Sequence, residues 1–500
     1  MEAGRRRSAR VMLFLVLVMV FVAVERTAVG DVDGGGGGGG GGGEDREWFL
    51  KLWTDGGGEA EEDHLKWEED DDDDNDDEED HIMMLGTGIG RPPTGRNVVN
   101  VDSFGAVGDG NADDTEAFLN AWKTACSLDS AVFLVPGGRR RYKVGASKFM
   151  GPCKEKMIIQ IQGTIVAPEE PSEWDPRSPR LWLLFSGLVG ARVQGGGVID
   201  GAGSKWWASS CKINKSNPCK PAPTALTIDS CRGVRVRSLR VQNAQQMHLT
   251  VSRSRNVRVA GLHVEAPADS PNTDGIHVAE STAVTIQSCR IATGDDCISI
   301  ANASFNVRMK NIDCGPGHGI SIGSLGKDST FAAVENVVLD TARISRAQNG
   351  VRIKTWQGGA GYVRNVRFSN VVVEDVDHPI IIDQFYCDSM NPCHNQTSNV
   401  QVSNVAYRNI SGTSRRAEAI KFACSDAAPC SDIVLSDINL LRGDGGAGEV
   451  QAVCNCATGA DYGRVRPAAD CLRSSTCGGA PDDHTDEDDD HVEAIPHTEL

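Results

Sequence analysis

The sequence predicts an all-β protein, a parallel β-helix preceded by one short capping helix. Short runs of β-branched and apolar residues recur between turns at a period of about 25 to 34 residues, which is typical of repeat architectures. No helical pattern of useful length separates these runs, which argues against a βα-barrel or a doubly wound sheet. Several runs open with an Asn-Val step, at Asn256, Asn306, Asn336, Asn365 and Asn399.

In such a fold each turn of the chain adds short strands, and neighbouring coils pair about 4.8 Å apart along one axis. The alternative is a sandwich or a propeller, but a steady repeat over so long a stretch disfavours a sandwich. The predicted runs are Ile158–Val166, Arg235–Val241, Val257–Val264, Val284–Ile291, Val307–Ile312, Val337–Ile344, Val366–Val373 and Val400–Tyr407.

The two ends of a β-helix expose unpaired strand edges, which need cover. Order is expected to begin near Asn97, and a helix is predicted to end at about Cys126, where it would cap the first coil. Asp113 is the expected N-cap, with Glu116 reaching back to it. The cysteine-rich segment after Cys424 is expected to cover the other end. The apolar stripe of the helix consists of Ala117, Phe118, Ala121, Trp122 and Ala125.

Acidic residues are concentrated in two segments outside this body. The formal net charge is −19, of which 44–80 carries −17 and 481–500 carries −9, whereas 81–480 carries +6. Neither the glycine run Gly34–Gly43 nor the acidic run Glu68–Asp80 can bury a core. We therefore expect 31–96 and 481–500 to be disordered and solvated, and 97–480 to form the folded domain, whose mildly basic charge suits an anionic partner.

The first thirty residues have the pattern of a secretory signal peptide. Four arginines precede an unbroken apolar run, Val11–Val24, and Ala28-Val29-Gly30 forms a small-residue cleavage site. The run is shorter than the roughly 20 residues that a membrane-spanning helix needs. We therefore expect 1–30 to be removed and the protein to be secreted.

All 16 cysteines lie between Cys126 and Cys477, and an even number in a secreted chain implies disulfides. A zinc site is not indicated, because no C-x-x-C pair occurs. Local pairs are expected for Cys211/Cys219, Cys297/Cys314, Cys387/Cys393 and Cys424/Cys430. Candidate N-glycosylation sequons begin at Asn214, Asn302, Asn395 and Asn409.

Four polar clusters interrupt the strand repeats at about one coil of spacing, which should place them side by side on one face. Together they would hold three carboxylates, an imidazole, a guanidinium and an ammonium. Crowded carboxylates repel one another, so at least one pKa should rise. One carboxyl could then protonate a glycosidic oxygen while another activates water. The clusters are Asn272–Gly275, Thr293–Cys297, Gly315–Gly319 and Arg352–Thr355.

Taken singly, each cluster has an ordinary structural explanation. Asp-Asp and Gly-x-Gly steps are common in turns, His318 could be a structural histidine, and Arg352 and Lys354 could form a solvated face. Their recurrence at coil spacing favours a functional site. Because Arg352 and Lys354 alternate along a strand, both should point to one face and grip carboxylates.

At these clusters the sequence resembles the polygalacturonases of glycoside hydrolase family 28, especially those of plants. The resemblance extends from about Asn97 to Cys477 and includes Val198–Gly201 and Lys205–Trp207. It implies a right-handed parallel β-helix and hydrolysis that inverts the anomeric carbon. The matching strings, all in the family's order, are Ser270–Ile276 (SPNTDGI), Thr293–Cys297 (TGDDC), Gly315–Gly326 (GPGHGISIGSLG) and Gly350–Gly359 (GVRIKTWQGG).

The resemblance also implies roles for individual residues. Asp295 matches the general acid, and Asp274 and Asp296 match the pair that activates water. His318 matches a histidine that supports the protonation of the acid. Substrate binding is implied for Arg352, Lys354 and Tyr386.

The implied substrate is pectic polysaccharide, polygalacturonate in the cell wall outside the cell. We expect a monomer that needs no metal or cofactor and has no nucleic-acid or membrane partner after signal removal. Alternatives are a same-fold enzyme for rhamnogalacturonan or xylogalacturonan, a catalytically silent pectin-binding wall protein, or a calcium-dependent pectate lyase. The aspartate trio argues against the last two.

Overall fold

The structure is a computed structural model that describes residues 95–389, 392–443, 448–474 and Cys477. The expected signal peptide, most of the low-complexity segment 31–96 and the acidic tail 481–500 lie outside the described residues. No helix among the described residues is long and apolar enough to cross a membrane.

The described chain winds into a right-handed parallel β-helix, as predicted, with two parallel sheets whose strands come from successive coils. In one coil the chain runs through Ile276–Ala279, then Thr282–Gln287, then Arg290–Ala292. The next coil repeats this path, and Ile276 pairs with Ile298 in the adjacent strand.

One sheet has 11 strands and will be called the cleft sheet. Its strands are Ser147–Met150, Leu181–Ser186, Thr224–Asp229, Leu249–Ser252, Ile276–Ala279, Ile298–Ile300, Ile320–Leu325, Asn349–Thr355, His378–Asp383, Glu418–Ala423 and Gln451–Asn455.

The other sheet has 20 strands and folds around the remaining faces. In the earlier coils two short strands follow each other, and in the later coils they join into one long bent strand. The strands are Asn97–Asn100, Asp109–Asp113, Ala131–Val135, Arg141–Lys143, Ile158–Ile161, Thr164–Val166, Arg192–Gln194, Val198–Asp200, Arg235–Arg237, Arg240–Gln242, Arg255–Ala260, His263–Glu265, Thr282–Gln287, Arg290–Ala292, Ser304–Cys314, Phe331–Ser345, Ala360–Val376, Gln401–Ser414, Cys430–Arg442 and Ala457–Arg466.

In the Asn-Val steps, the asparagine and the valine each have a structural role. The asparagines take a left-handed backbone conformation, such as φ 60° at Asn336, which asparagine tolerates better than most residues. The valines point inward and stack in register through six coils, each at most 1% exposed. Each buried valine contributes about 1.5–3 kcal/mol to the hydrophobic core. The stack consists of Val257, Val284, Val307, Val337, Val366 and Val405.

The asparagine side chains form a ladder along the helix axis. Asn336 donates to Asn306 at 3.0 Å, Asn365 donates to Asn336 at 3.2 Å, and Asn404 donates to Asn365 at 3.5 Å. The repeat assignment of Asn399 is therefore wrong, because Asn404 occupies this position. Asn399 is instead buried and accepts a hydrogen bond from Thr355 at 2.7 Å.

A helix, α1, spans Thr115–Cys126 and covers the first coil, as predicted. All five residues of the predicted apolar stripe are buried, and Trp122 meets Phe133 edge-on at 5.7 Å. The predicted capping box is wrong, since Asp114 is the N-cap residue and its side chain makes no cap hydrogen bond. Its carboxylate instead accepts the backbone N–H of Val107 at 2.6 Å, which holds the preceding loop.

The short helices are α2, Ser204–Ala208, and α3, Cys471–Ser474. Helix α3 lies against the last strands with Leu472 buried, so the cysteine-rich segment covers the second end. The four predicted disulfides form, together with two more among the described residues. The six are Cys126–Cys153, Cys211–Cys219, Cys297–Cys314, Cys387–Cys393, Cys424–Cys430 and Cys454–Cys471.

Replacing Asn336 by alanine should destabilise the protein by about 1–3 kcal/mol, because it removes two exposed ladder hydrogen bonds and forces alanine into a left-handed conformation. Asn336→Gly should cost less, since glycine accepts that backbone conformation. Denaturant unfolding midpoints of both variants measure the difference. Equal losses in the two variants would show that backbone conformation plays no part.

Candidate active site

The predicted catalytic residues meet because the cleft sheet pairs in register. Asp274, Asp296 and His318 each stand two residues before an isoleucine that opens a strand, so they occupy one position in three successive coils. Asp295 directly precedes Asp296 and lies at the same turn. The aligned isoleucines are Ile276, Ile298 and Ile320.

Asp295 and His318 form a close pair. The imidazole Nδ1 lies 2.9 Å from Asp295 Oδ1, and the backbone N–H of His318 donates to the Asp295 carbonyl at 2.8 Å. Although burial alone would raise the pKa of Asp295, the charge and hydrogen bond of His318 hold it well below its usual range. Lys212 and Lys354 lower this pKa further.

Asp296 is completely buried among positive charges. It accepts hydrogen bonds from Arg352 Nη2 at 2.7 Å and from the Ser321 hydroxyl at 2.8 Å. Its second oxygen forms an ion pair with Lys354 Nζ at 3.0 Å. The two cations offset the cost of burying this carboxylate.

Asp274 has a different environment, since its carboxylate accepts one hydrogen bond from the Ser299 hydroxyl at 2.7 Å. Burial raises its pKa well above the ordinary value of 3.8, and the charges of Asp295 and Asp296 raise it further. The pKa of Asp274 is thus raised as expected, although burial contributes more to the rise than the neighbouring carboxylates do. The site holds two carboxyls whose pKa values are moved in opposite directions, an arrangement that suits acid–base catalysis.

The basic pair lies in the strand Asn349–Thr355, and both side chains reach Asp296, so both point to one face as predicted. Arg352 is 7% exposed and Lys354 is 2% exposed, so neither is a solvated surface charge. Tyr386 also joins the patch, because Lys354 Nζ lies 5.0 Å from the centre of its ring.

Sequence reasoning missed the two serines that bind the carboxylates. Ser299 and Ser321 occupy the same position in adjacent coils, and Arg352 follows at that position one coil later. The repeated Ile-Ser-Ile at 298–300 and 320–322 is the sequence signal that could have revealed them.

His248 was also missed, and a single histidine in a turn gives no signal. It is fully buried, and burial lowers its pKa to about 4. Its ring Nδ1 lies 3.0 Å from the Asp274 carbonyl, and its backbone N–H donates to the same oxygen at 2.8 Å. This neutral ring therefore positions the turn that carries Asp274.

Lys212 comes from a loop far from the catalytic turns in sequence. Its ammonium lies 3.9 Å from a carboxylate oxygen of Asp388, and both side chains are almost completely buried. Each residue follows a disulfide-bonded cysteine, Cys211 or Cys387. Two disulfide-tied loops thus meet beside Asp295.

The side-chain ligand atoms of Asp295, Asp296 and His318 lie within 4.8 Å of one another, which is the spacing of a possible metal site. Arg352 and Lys354 already supply positive charge at Asp296, and that charge opposes a metal ion at this position.

A parallel β-helix that carries clustered carboxyls beside buried cations defines a glycoside hydrolase of the β-helix class. Residues 126–460 match the family model described as glycosyl hydrolases family 28, and the chain belongs to this family.

Curated relatives agree with this assignment, and a solved structure shares the fold. The chain is 49% identical to polygalacturonase-2 of Solanum lycopersicum over 351 residues, covering 70% of this chain and 76% of the relative. It is 46% identical to a polygalacturonase of Persea americana over 372 residues, covering 74% and 80%. In fold it is similar to an endo-xylogalacturonan hydrolase of Aspergillus tubingensis, with a TM-score of 0.61 at 24% identity, covering 73% of this chain and 100% of that one.

Asp274→Asn should stabilise the fold by an amount that grows with pH. The folded-state pKa of Asp274 is raised. Its contribution to the stability of the wild type is therefore fully present below about pH 4 and is lost as pH rises through the raised pKa. The asparagine variant avoids this loss, so its gain in unfolding free energy should increase by about 1.4 kcal/mol per pH unit within that window.

Thermal unfolding between pH 3.5 and 7 measures this gain, with Asp295→Asn as the matched control. The pKa of Asp295 is lowered in the folded protein, so its ionised form contributes stability above the unfolded pKa, and the control should lose stability at neutral pH. A gain for Asp274→Asn that does not change with pH would contradict the pKa direction.

Proposed function

We propose that the protein is a polygalacturonase that hydrolyses α-1,4-galacturonosyl linkages in demethylated pectin, the homogalacturonan of cell walls, with inversion at the anomeric carbon. The observation that carries the proposal is the in-register patch of Asp274, Asp295 and Asp296 beside the buried pair Arg352 and Lys354. The activity of the plant relatives supports it.

In this proposal Asp295 is the general acid and receives its proton through His318. In the free protein the imidazole Nδ1 of His318 lies 2.9 Å from Asp295 Oδ1, and the charge and hydrogen bond of His318 hold the pKa of this carboxyl well below its usual range. An arriving galacturonate adds negative charge next to Asp295 and excludes water, and both effects raise the pKa of the carboxyl. The proton then moves to Asp295 and from there to the glycosidic oxygen as the bond breaks.

Asp274 and Asp296 together activate the water. One oxygen of Asp296 accepts hydrogen bonds from Ser321 and Arg352, and the other is paired with the charge of Lys354 at 3.0 Å. Asp274 bonds Ser299 through one oxygen, which leaves the other to accept a proton from water. We therefore assign the proton-accepting role to Asp274 and the orienting role to Asp296.

The substrate carboxylate is proposed to lie against Arg352, Lys354 and Tyr386. Since both cations also hold Asp296, replacing either should lower kcat as well as raise KM. The same contact should make the enzyme require an ionised galacturonate, because a methyl ester removes the negative charge that the two cations bind. Equal rates of the wild type on esterified and demethylated pectin would rule this contact out.

The activity itself is tested on demethylated polygalacturonate. The protein should release reducing ends in the presence of a calcium chelator, and its products should lack the ultraviolet absorbance of unsaturated sugars. Xylogalacturonan and rhamnogalacturonan serve as comparison substrates. A calcium requirement or unsaturated products would indicate a lyase, and preference for a comparison substrate would indicate another pectic specificity.

Acid and base roles can be separated by chemical rescue. Asp295→Asn and Asp274→Asn should each lower kcat about 10²–10⁴-fold. Azide attacks without a base, so it should restore turnover to Asp274→Asn but not to Asp295→Asn. The raised pKa of Asp274 favours the reverse assignment, with Asp274 as the acid, and rescue of Asp295→Asn alone would establish it.

We further propose that 1–30 direct secretion, that 97–480 form the catalytic domain, and that 31–96 and 481–500 flank it as solvated segments. The six disulfides support the proposed secretion, because disulfides form and persist in the oxidising environment of the secretory pathway and the cell exterior. Retention inside the cell of the full-length chain would contradict the proposed secretion.

A further inference from the structure

Arginines are concentrated in one part of the 20-stranded sheet, outside the cleft sheet. Between Asp229 and Glu265 the sequence contains seven arginines and no carboxylate, so this short stretch carries more positive charge than the net +6 of residues 81–480. Five of the seven lie in the strands Arg235–Arg237, Arg240–Gln242 and Arg255–Ala260. None of them belongs to the active site described above.

Strand pairing aligns arginines from successive coils. Arg192 pairs with Arg235, and Arg235 pairs with Arg258, so three consecutive coils carry an arginine at one position. The same position is Thr285 in the next coil and Arg308 in the coil after that. Because neighbouring coils are about 4.8 Å apart, the aligned side chains follow the helix axis and run parallel to the cleft. Arg192, Arg235, Arg258 and Arg308 will be called the arginine row.

The side chains of the arginine row face outward. Alternate residues of a strand point to opposite faces, and the residue that follows each of these arginines is an apolar core residue with 0% exposure. These core residues are Val193, Val236, Val259 and Met309. The arginines themselves are half-buried, and the exposed Arg232 and Arg255, which pair with each other, flank the row.

The arginine row is unfavourable for the stability of the sheet itself. Like charges directly opposite each other on neighbouring strands destabilise a sheet. Thr285 shows that a neutral β-branched residue fits the same position. No aspartate or glutamate occurs in the four strands Arg192–Gln194, Arg235–Arg237, Arg255–Ala260 and Thr282–Gln287.

Later coils of the same sheet pair arginines with carboxylates. Arg343 Nη2 lies 2.7 Å from a carboxylate oxygen of Glu374, and Arg364 Nη2 lies 2.9 Å from Glu335. Alignment of like charges is therefore not a general property of this sheet. Its occurrence over three consecutive coils points to an anion that binds from outside.

The geometry of the arginine row fits a polymer with regularly spaced carboxylates. Demethylated homogalacturonan carries one carboxylate per sugar unit, and a pyranose unit has about the length of the spacing between coils. Arginine binds carboxylates through two parallel hydrogen bonds, which suits it to this role. In an extended acidic peptide, by contrast, side chains on one face recur about every 7 Å, which fits the row less well.

We propose that the arginine row is a non-catalytic surface that binds a stretch of demethylated homogalacturonan outside the cleft. The inference rests on the proposed polygalacturonase function and adds a second contact with the same class of polymer. A chain held on the row keeps the enzyme close to neighbouring chains, which raises the effective concentration of substrate at the cleft.

The double variant Arg235→Thr/Arg258→Thr tests this surface, since it introduces the residue that the row already has at Thr285. In the Asp295→Asn background, its binding to long polygalacturonate should weaken about three- to tenfold at low salt, as expected for two lost ion pairs. The difference should shrink between about 0.01 M and 0.15 M salt, where the screening length falls from ~30 Å to ~8 Å. The Tm should be unchanged or higher, because repulsion is removed.

Two further double variants serve as controls. Arg290→Thr/Arg343→Thr removes the same charge from positions that face carboxylates, Asp313 and Glu374, and should bind the polymer like the parent. Arg235→Lys/Arg258→Lys keeps the charge of the row and should retain most of the binding. An equal loss in both threonine double variants would show that net charge alone matters, and a lysine variant as weak as Arg235→Thr/Arg258→Thr would exclude charge as the cause. Either result would overturn the proposal.

Hydrolysis in the otherwise unmodified enzyme separates the row from the cleft. With Arg235→Thr/Arg258→Thr, kcat and KM on the shortest oligogalacturonides that are cleaved should match the wild type. The KM for long polygalacturonate should rise by the factor seen in binding. An equal loss on short and long substrates would place the effect in the cleft and overturn a separate surface.

The binding measurements also separate this inference from the proposed activity. Absence of hydrolysis by the wild type, with the binding loss of Arg235→Thr/Arg258→Thr intact, would count against the polygalacturonase function alone. Unchanged polymer binding in that variant would overturn the surface. If tryptic cleavage of the full-length chain at Lys66 were then faster in the variant than in the wild type, the occupant of the row would be the acidic segment 44–80 of the same chain.

Discussion

The active site depends on the register between successive coils of the cleft sheet. Asp274, Asp296 and His318 become neighbours because Ile276, Ile298 and Ile320 pair without a slip. A shift by one residue would turn each side chain to the opposite face, so the catalytic cluster and the core would fail together. The valine stack and the asparagine ladder fix the same register on the other sheet, which couples the stability of the helix to the geometry of the site.

Burying three carboxyls at one place costs solvation free energy, and each carboxyl has a different partner that offsets this cost. Asp296 receives two cations, Asp295 receives an imidazole, and Asp274 receives a serine hydroxyl. The opposite pKa directions of Asp295 and Asp274 follow from this difference, because burial acts on both. Proton affinity at the site is thus set by the identity of each partner more than by the spacing of the carboxyls.

Much of the fold could be predicted from the sequence because each coil repeats the same local requirement, an inward valine next to a left-handed turn residue. The error at Asn399 arose where the loop before Asn404 lengthens the coil, since a periodic pattern cannot locate an insertion. The aspartates were predictable from their motifs. Lys212 and His248 were not, because their roles come from contacts between loops and turns that periodicity does not describe.

The coils and the loops contribute differently to the cleft. The coils hold Asp274, Asp295 and Asp296 at fixed positions, since their turns are anchored by strands on both sides. The charge that surrounds Asp295 also comes from Lys212, which reaches the site on a loop tied by Cys211–Cys219 and meets Asp388 on a second tied loop. The disulfide closes a short loop and limits the backbone conformations from which Lys212 extends. Loop sequence can therefore change the electrostatics of Asp295 without disturbing the register that holds it.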